Sequence, residues 1–231
     1  MTQLQIARSL ALTLLAVLSG CLSDGFITGP KDFGEGRRVL FVGNSYVYTN
    51  SIPSILVALA DSAGGDKIAA LTVAGPNVAL VDHWFEGSAA GQIAKGGWEW
   101  VVLQQGPSSV QINRDSLRLV TGWFAEEIAK VDATPALFSA WPQSHRRQDF
   151  PRAIESYRLA ADDVDGLMIP IAAAWLAAWE RDPTLQLYAD GLHASPAGAY
   201  LSAVVLYARL LEKSPTRLPH AVRMRPGPTI A

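Results

Sequence analysis

Cysteine is almost missing from this 231-residue sequence, and the single thiol, Cys21, excludes a disulfide within the chain. Charge is sparse as well, at 17% of residues, with 19 basic against 21 acidic side chains. The resulting formal net charge of −2 excludes the concentrated basic surface that nucleic-acid binding demands, so no nucleic-acid partner is expected. Zinc signatures are lacking: there is no His-Glu-x-x-His run, and the spacing of the four histidines suggests no ligand set. No metal and no cofactor are therefore expected. The apolar stretch Leu10 to Leu18 is too short for a comfortable transmembrane helix, which needs about 20 residues. No internal repeat is visible, and the 14 prolines and 19 glycines punctuate apolar runs rather than cluster.

What is present points to one substantial core. A hydrophobic content of 49% over this length suits a single domain after its N-terminal segment is set aside. Arg8 and the amino terminus form a thin positive region, Leu10 to Leu18 is apolar, and Leu18-Ser19-Gly20-Cys21 follows at once. This resembles the lipobox of bacterial lipoproteins, whose cysteine is lipidated; an ordinary signal peptide with an incidental cysteine is the alternative. Leu22 after the cysteine resembles the sorting pattern for the outer membrane, so the expectation is a lipid-anchored protein of the bacterial cell envelope. The organisation expected is signal peptide 1–21, flexible tether 22–37, main domain 38–213 and C-terminal tail 214–231.

Along the domain, apolar runs and helical periods alternate. Arg38 to Val42 reads as a buried parallel strand closed by Gly43. Further strands are expected at Lys67 to Ala74, Trp98 to Gln104, Thr134 to Trp141 and Leu167 to Ile171. Helices are expected over Ser51 to Ala63, Asp115 to Val131, Phe150 to Asp163, Ala172 to Trp179 and Ser195 to Leu211. Ser51 and Ser195 are the expected N-caps, with Pro53 and Pro196 in the first turns. Such alternation predicts an α/β protein: a three-layer α/β/α sandwich, flavodoxin-like, with a five-stranded parallel sheet. Ligands of such sheets bind beyond the carboxyl ends of the strands. Ser45, Gly75, Gln105, the segment Gln143 to His145, and the loop holding Asp190 and His193 follow strand ends or precede the last helix, and this topology is expected to bring most of them to that rim.

Ser45 follows Gly43-Asn44 at a strand-to-loop turn, where a hydroxyl can point out of the sheet. A serine becomes a nucleophile when a base accepts its proton. His193 is the candidate base and acid, and Asp190, three residues earlier, the group that fixes its tautomer. His83 beside Asp82 also looks like an acid–base pair, though a structural or cleft-wall role fits its position better. His145 is expected at the rim and His220 in the tail. Most of the seven tryptophans fall in apolar elements, as core residues would. Trp84 and Trp141 lie near strand ends, where an indole face would suit a sugar ring.

Val39-Leu40-Phe41-Val42-Gly43-Asn44-Ser45-Tyr46 resembles the nucleophile block of the SGNH/GDSL hydrolase superfamily, and Asp190-Gly191-Leu192-His193 resembles its last block. By that resemblance Ser45, Asp190 and His193 are the catalytic triad, and the amides of Ser45 and Gly75 form the oxyanion hole. Asn44 stands where many members have Asp. Leu103-Gln104-Gln105-Gly106 replaces the usual Gly-x-Asn-Asp and is closer to the Gln-Gly-Glu version of some carbohydrate acetylesterases. The third oxyanion donor is then Gln105, with Gln104 the alternative. The implied activity is hydrolysis of small acyl, chiefly acetyl, esters on a carbohydrate or polysaccharide. A lipase, lysophospholipase or thioesterase on the same triad, and a non-catalytic carbohydrate-binding surface lipoprotein, are the competing readings.

Overall fold

The computed structural model describes residues 25–222 apart from 31 and 66, so Cys21, the lipobox and the last nine residues lie outside it. Six strands form one sheet: β1 (Phe26–Thr28), β2 (Arg37–Gly43), β3 (Ile68–Ala74), β4 (Trp100–Leu103), β5 (Thr134–Phe138) and β6 (Leu167–Ile169). Their order is β1-β3-β2-β4-β5-β6. The five parallel strands are those expected. The sixth is a correction to the five-strand reading: Phe26–Thr28, within the stretch read as tether, pairs antiparallel with Thr72–Ala74. Three residues are too few to show a period, and only the unpaired edge of β3 reveals their place.

Eight helices accompany these strands among the described residues: α1 (Ser45–Tyr48), α2 (Ile52–Ser62), α3 (Leu80–Glu86), α4 (Ser88–Ile93), α5 (Gln111–Ala129), α6 (Phe150–Asp162), α7 (Ile171–Arg181) and α8 (Pro196–Leu211). α2 packs on α8, α5 packs on α3, α4 and α6, and α7 joins α6 to α8. Because parallel crossovers are right-handed, α2 lies on the opposite face from α3 to α6. The sheet is therefore covered on both sides, which explains why the central residues of its inner strands are apolar. Val39 to Val42, Val101 to Leu103 and Ala136 to Phe138 are fully buried at 0% exposure.

Several boundaries depart from the periodic reading. α5 begins four residues earlier than Asp115, and Gln111 reaches the Asp115 carboxylate across one turn at 2.7 Å. α3 and α4 were not anticipated; Gly87, at φ +88°, ends one and starts the next. Ser195 caps α8 as expected, accepting from the Gly198 N–H at 3.1 Å. Ser51 does not cap α2: its backbone is left-handed (φ 56°) and its hydroxyl makes no capping bond. That helix is held instead by burial of Ile52, Leu56 and Leu59.

The strand order reverses between β2 and β4, the first and third parallel strands. At such a switch point the connections leave in opposite directions and open a crevice at the carboxyl edge. Ser45 follows β2 and Gln104-Gln105 follow β4, so the fold brings both segments to this crevice.

Candidate active site

The turn after β2 is built around Asn44. Its backbone is extended (φ −135°, ψ −157°), and its side-chain oxygen accepts from the Tyr46 N–H to cap α1 at 3.1 Å. Its side-chain nitrogen donates to the Val78 carbonyl at 2.8 Å, and its backbone N–H donates to Gln104 Oε1 at 2.9 Å. Gly43 leaves the room this requires, since a Cβ there would lie 2.5 Å from Gln104 Oε1 and 2.8 Å from Val47 Cγ2. Ser45 emerges partly exposed between buried Asn44 and Tyr46. Among the described residues nothing hydrogen-bonds its hydroxyl or its amide.

The Asp190–His193 turn is a self-contained acid–base unit. Asp190 Oδ1 accepts from the backbone N–H groups of Leu192 (2.9 Å) and His193 (2.7 Å). Its Oδ2 lies 2.6 Å from His193 Nδ1. An ionised carboxylate can only accept, so Nδ1 carries a proton, and in the neutral imidazole Nε2 then presents its lone pair. The bond from the imidazole, followed by the two amides, pulls the Asp190 carboxyl down from 3.8 to about 2. A depressed carboxyl stabilises the fold fully above its unfolded value and loses that contribution as pH falls toward 2. With the Asp190 side chain 55% exposed, solvent screening keeps this contribution small.

Aromatic packing holds the loop. Trp141 is fully buried, stacks on Trp175 at 4.1 Å and donates its indole N–H to the Leu192 carbonyl at 2.9 Å. Ser144 N–H donates to the Gly191 carbonyl at 2.8 Å, and Gly191 takes the positive φ (+84°) this close approach needs. Two contacts join the loop to the serine turn: Asn50 Nδ2 donates to the Ala194 carbonyl at 2.7 Å, and the Tyr46 and His193 rings lie 6.5 Å apart. Ser45 Oγ and His193 Nε2 are not hydrogen-bonded to each other among the described residues. Such links are often open in unliganded enzymes and tighten around substrate.

The expected oxyanion donors are disposed unequally. Gly75 N–H reaches the Gly43 carbonyl only at 3.4 Å, a long bond that leaves the amide weakly committed. Gln105 is buried, and its side-chain nitrogen already donates to Ser108 Oγ (2.8 Å) and the Asn113 carbonyl (3.1 Å). A primary amide has two hydrogens, so Gln105 has none left for an oxyanion. Gln104 accepts from Asn44 and gives one of its two amide hydrogens to the Gln105 carbonyl, so it keeps one, on a fully buried side chain. Tyr157 braces the Gln104-Gln105-Gly106 segment, accepting from Gln105 N–H at 3.0 Å and sharing its one hydroxyl hydrogen between the Gln105 and Gly106 carbonyls. No sequence signal marks Tyr157, which lies mid-helix 52 residues away.

The two tryptophans proposed as sugar platforms do other work. Trp141 is buried beneath the loop, and Trp84 packs on Trp123 (5.5 Å) and Phe124 (5.2 Å) between α3 and α5. The exposed aromatic is instead Phe85, at 77%, on the wall of a cavity of about 350 Å³ that includes Gly75, Asn77, His83 and Glu86. His145 is exposed on the turn after β5, and His220 is exposed in the tail. Among the described residues no cluster of His, Cys, Asp or Glu could hold a metal ion, and no helix is long and apolar enough to cross a membrane.

No protein-family model matches this sequence, and no curated protein matches it. Solved structures do. A Slackia heliotrinireducens protein described as a candidate SGNH hydrolase superposes with a TM-score of 0.63 at 24% identity, over 76% of this chain and 100% of that one. A DUF4886 family protein from Bacteroides uniformis gives 0.69 at 16%, over 81% and 87%. An acetylxylan esterase from Geobacillus stearothermophilus gives 0.59 at 16%, over 80% and 98%. The likeness is one of architecture: this chain has the three-layer α/β/α fold of the SGNH/GDSL hydrolases.

Proposed function

We propose that this protein is a serine esterase that removes small acyl groups, chiefly acetyl, from a carbohydrate. The observation that carries the reading is the Asp190–His193 pair, whose Nε2 lone pair is unengaged, tied beside the Ser45 turn through Asn50 and Ala194. In the first half-reaction Ser45 Oγ attacks the ester carbonyl carbon while His193 Nε2 takes the hydroxyl proton. The negative charge develops on the carbonyl oxygen, toward the Ser45 and Gly75 amides. Collapse of this intermediate breaks the bond to the alcohol oxygen, and His193 returns the proton to that leaving group. Water then attacks the acyl-serine by the same proton path and releases the acid.

Carbohydrate acetyl esters are favoured by the Gln104-Gln105-Gly106 resemblance and by the likeness to an acetylxylan esterase. The test is a fluorophosphonate probe, which should label Ser45 in folded protein, as peptide mass spectrometry would show. An unlabelled protein would favour the non-catalytic carbohydrate-binding reading. Acetyl esters should exceed octanoyl esters in kcat/KM by about tenfold or more, on the scale set by methylene discrimination in a shaped pocket. The reverse preference would favour a lipase or thioesterase.

Asp190→Asn should lower kcat by up to about 10⁴-fold, because an amide can stabilise the wrong imidazole tautomer. Steady-state kinetics on p-nitrophenyl acetate check this, and unchanged kcat would remove Asp190 from the triad. Lipidation of Cys21, supported by the Leu18-Ser19-Gly20-Cys21 motif, would hold the enzyme at the bacterial cell envelope.

A further inference from the structure

We infer that His83 is a positioning residue for the serine turn: its imidazole N–H takes the short bond to the Gly43 carbonyl and so leaves the Gly75 amide only loosely held there and available to the developing oxyanion. The inference rests on the esterase reading above. His83 is 5% exposed on α3, and its Nε2 lies 2.7 Å from Gly43 O. A carbonyl can only accept, so Nε2 carries the hydrogen. Nδ1 has no hydrogen-bond partner among the described residues, and it is not among the buried unpaired atoms, so it keeps some accessible surface. Burial lowers the His83 pKa, against smaller upward pulls from the Gly43 bond, Glu86 and Asp82, which keeps the ring neutral. Asp82 is turned to the helix start, accepting from the Ala79 N–H at 2.7 Å, and no hydrogen bond joins its carboxylate to the His83 ring among the described residues.

The Gly43 carbonyl is the acceptor for two donors of unequal strength. His83 takes the short bond, and Gly75 N–H approaches only to 3.4 Å. Without His83 the Gly43 carbonyl keeps only this long bond, and an under-satisfied buried acceptor favours drawing its remaining donor closer. That donor is Gly75 N–H, which lies where the β2–β3 ladder would continue beyond the Gly43–Ala74 pair. Closing this bond would turn an oxyanion donor into an ordinary ladder bond. Loss of one such donor costs about 10²–10³ in kcat.

The test compares His83→Leu, which keeps apolar volume without a donor, with His83→Gln. A glutamine Nε2 stands as many bonds from Cα as the histidine Nε2, so it can donate to the same carbonyl. His83→Leu should lower kcat for p-nitrophenyl acetate by about 10²–10³-fold with KM little changed, and His83→Gln should restore most of it. A merely structural role would move both variants in step with their stability. Should His83→Leu fail to fold, His83→Met supplies a second donor-less side chain. In the unsubstituted protein, ¹⁵N NMR should find the His83 proton on Nε2 with Nδ1 bare. Full activity in a donor-less variant, equal losses in Leu and Gln, or the opposite tautomer would overturn the role. A Ser45→Ala control run alongside separates this failure from failure of the esterase reading.

Discussion

Ser45→Ala is expected to lower kcat for p-nitrophenyl acetate by about 10⁴–10⁶-fold while the protein stays folded. The loss is large because nucleophile and base act as a unit, and without Oγ the proton accepted by His193 Nε2 has no source. Stability should stay within about 0.5 kcal/mol, since the Ser45 hydroxyl holds nothing among the described residues. Circular dichroism and a thermal melt would establish the fold, and stopped-flow or plate kinetics the activity. Residual turnover is expected from the amides that polarise the carbonyl. Activity at the unsubstituted level would mean that another group attacks the ester, and the triad assignment would be wrong.

Trp141→Ala carries the largest expected effect on stability, a loss of about 3–5 kcal/mol. Against a total of about 5–15 kcal/mol for a typical domain, this would be severe. The indole is fully buried, stacks on Trp175 at 4.1 Å and meets Tyr46 at 5.1 Å, so deletion opens a cavity under the loop. Trp141→Phe separates packing from hydrogen bonding. It keeps a ring against Trp175 but leaves the Leu192 carbonyl without its 2.9 Å donor, at about 1–3 kcal/mol. Because Leu192 precedes His193, that variant should also lose kcat beyond its loss of stability. Urea titrations with parallel kinetics would show it. An unchanged denaturation midpoint for Trp141→Ala would mean that the aromatic stack does not hold the loop.

Much of this architecture was legible in the residues. The strand Arg37–Gly43 could be read because Val39 to Val42 is apolar without interruption, the mark of a strand covered on both faces. The cap Ser195 could be read because capping is local chemistry, a side chain meeting an amide three residues away. The Asp190–His193 pair is local in the same sense, closed within one turn. The edge strand Phe26–Thr28 and the short helix Leu80–Glu86 were not legible. Three or seven residues give no secure period, and Ser51 shows that a capping residue in the right place can still adopt a left-handed backbone.

The sequence by itself determined the α/β alternation and the residues able to do acid–base and nucleophilic chemistry, because periodicity and short-range hydrogen bonding depend on neighbours along the chain. Only the tertiary structure decided what those groups are free to do. Gln105 resembles an oxyanion donor until Ser108 and Asn113 take both its hydrogens, and His83 resembles a catalytic base until it is found on Gly43, 40 residues away. Trp141 resembles a sugar platform until Leu192, 51 residues away, claims its indole N–H. Each hydrogen serves few acceptors, and which acceptor stands within 3 Å or so is settled by packing between distant segments.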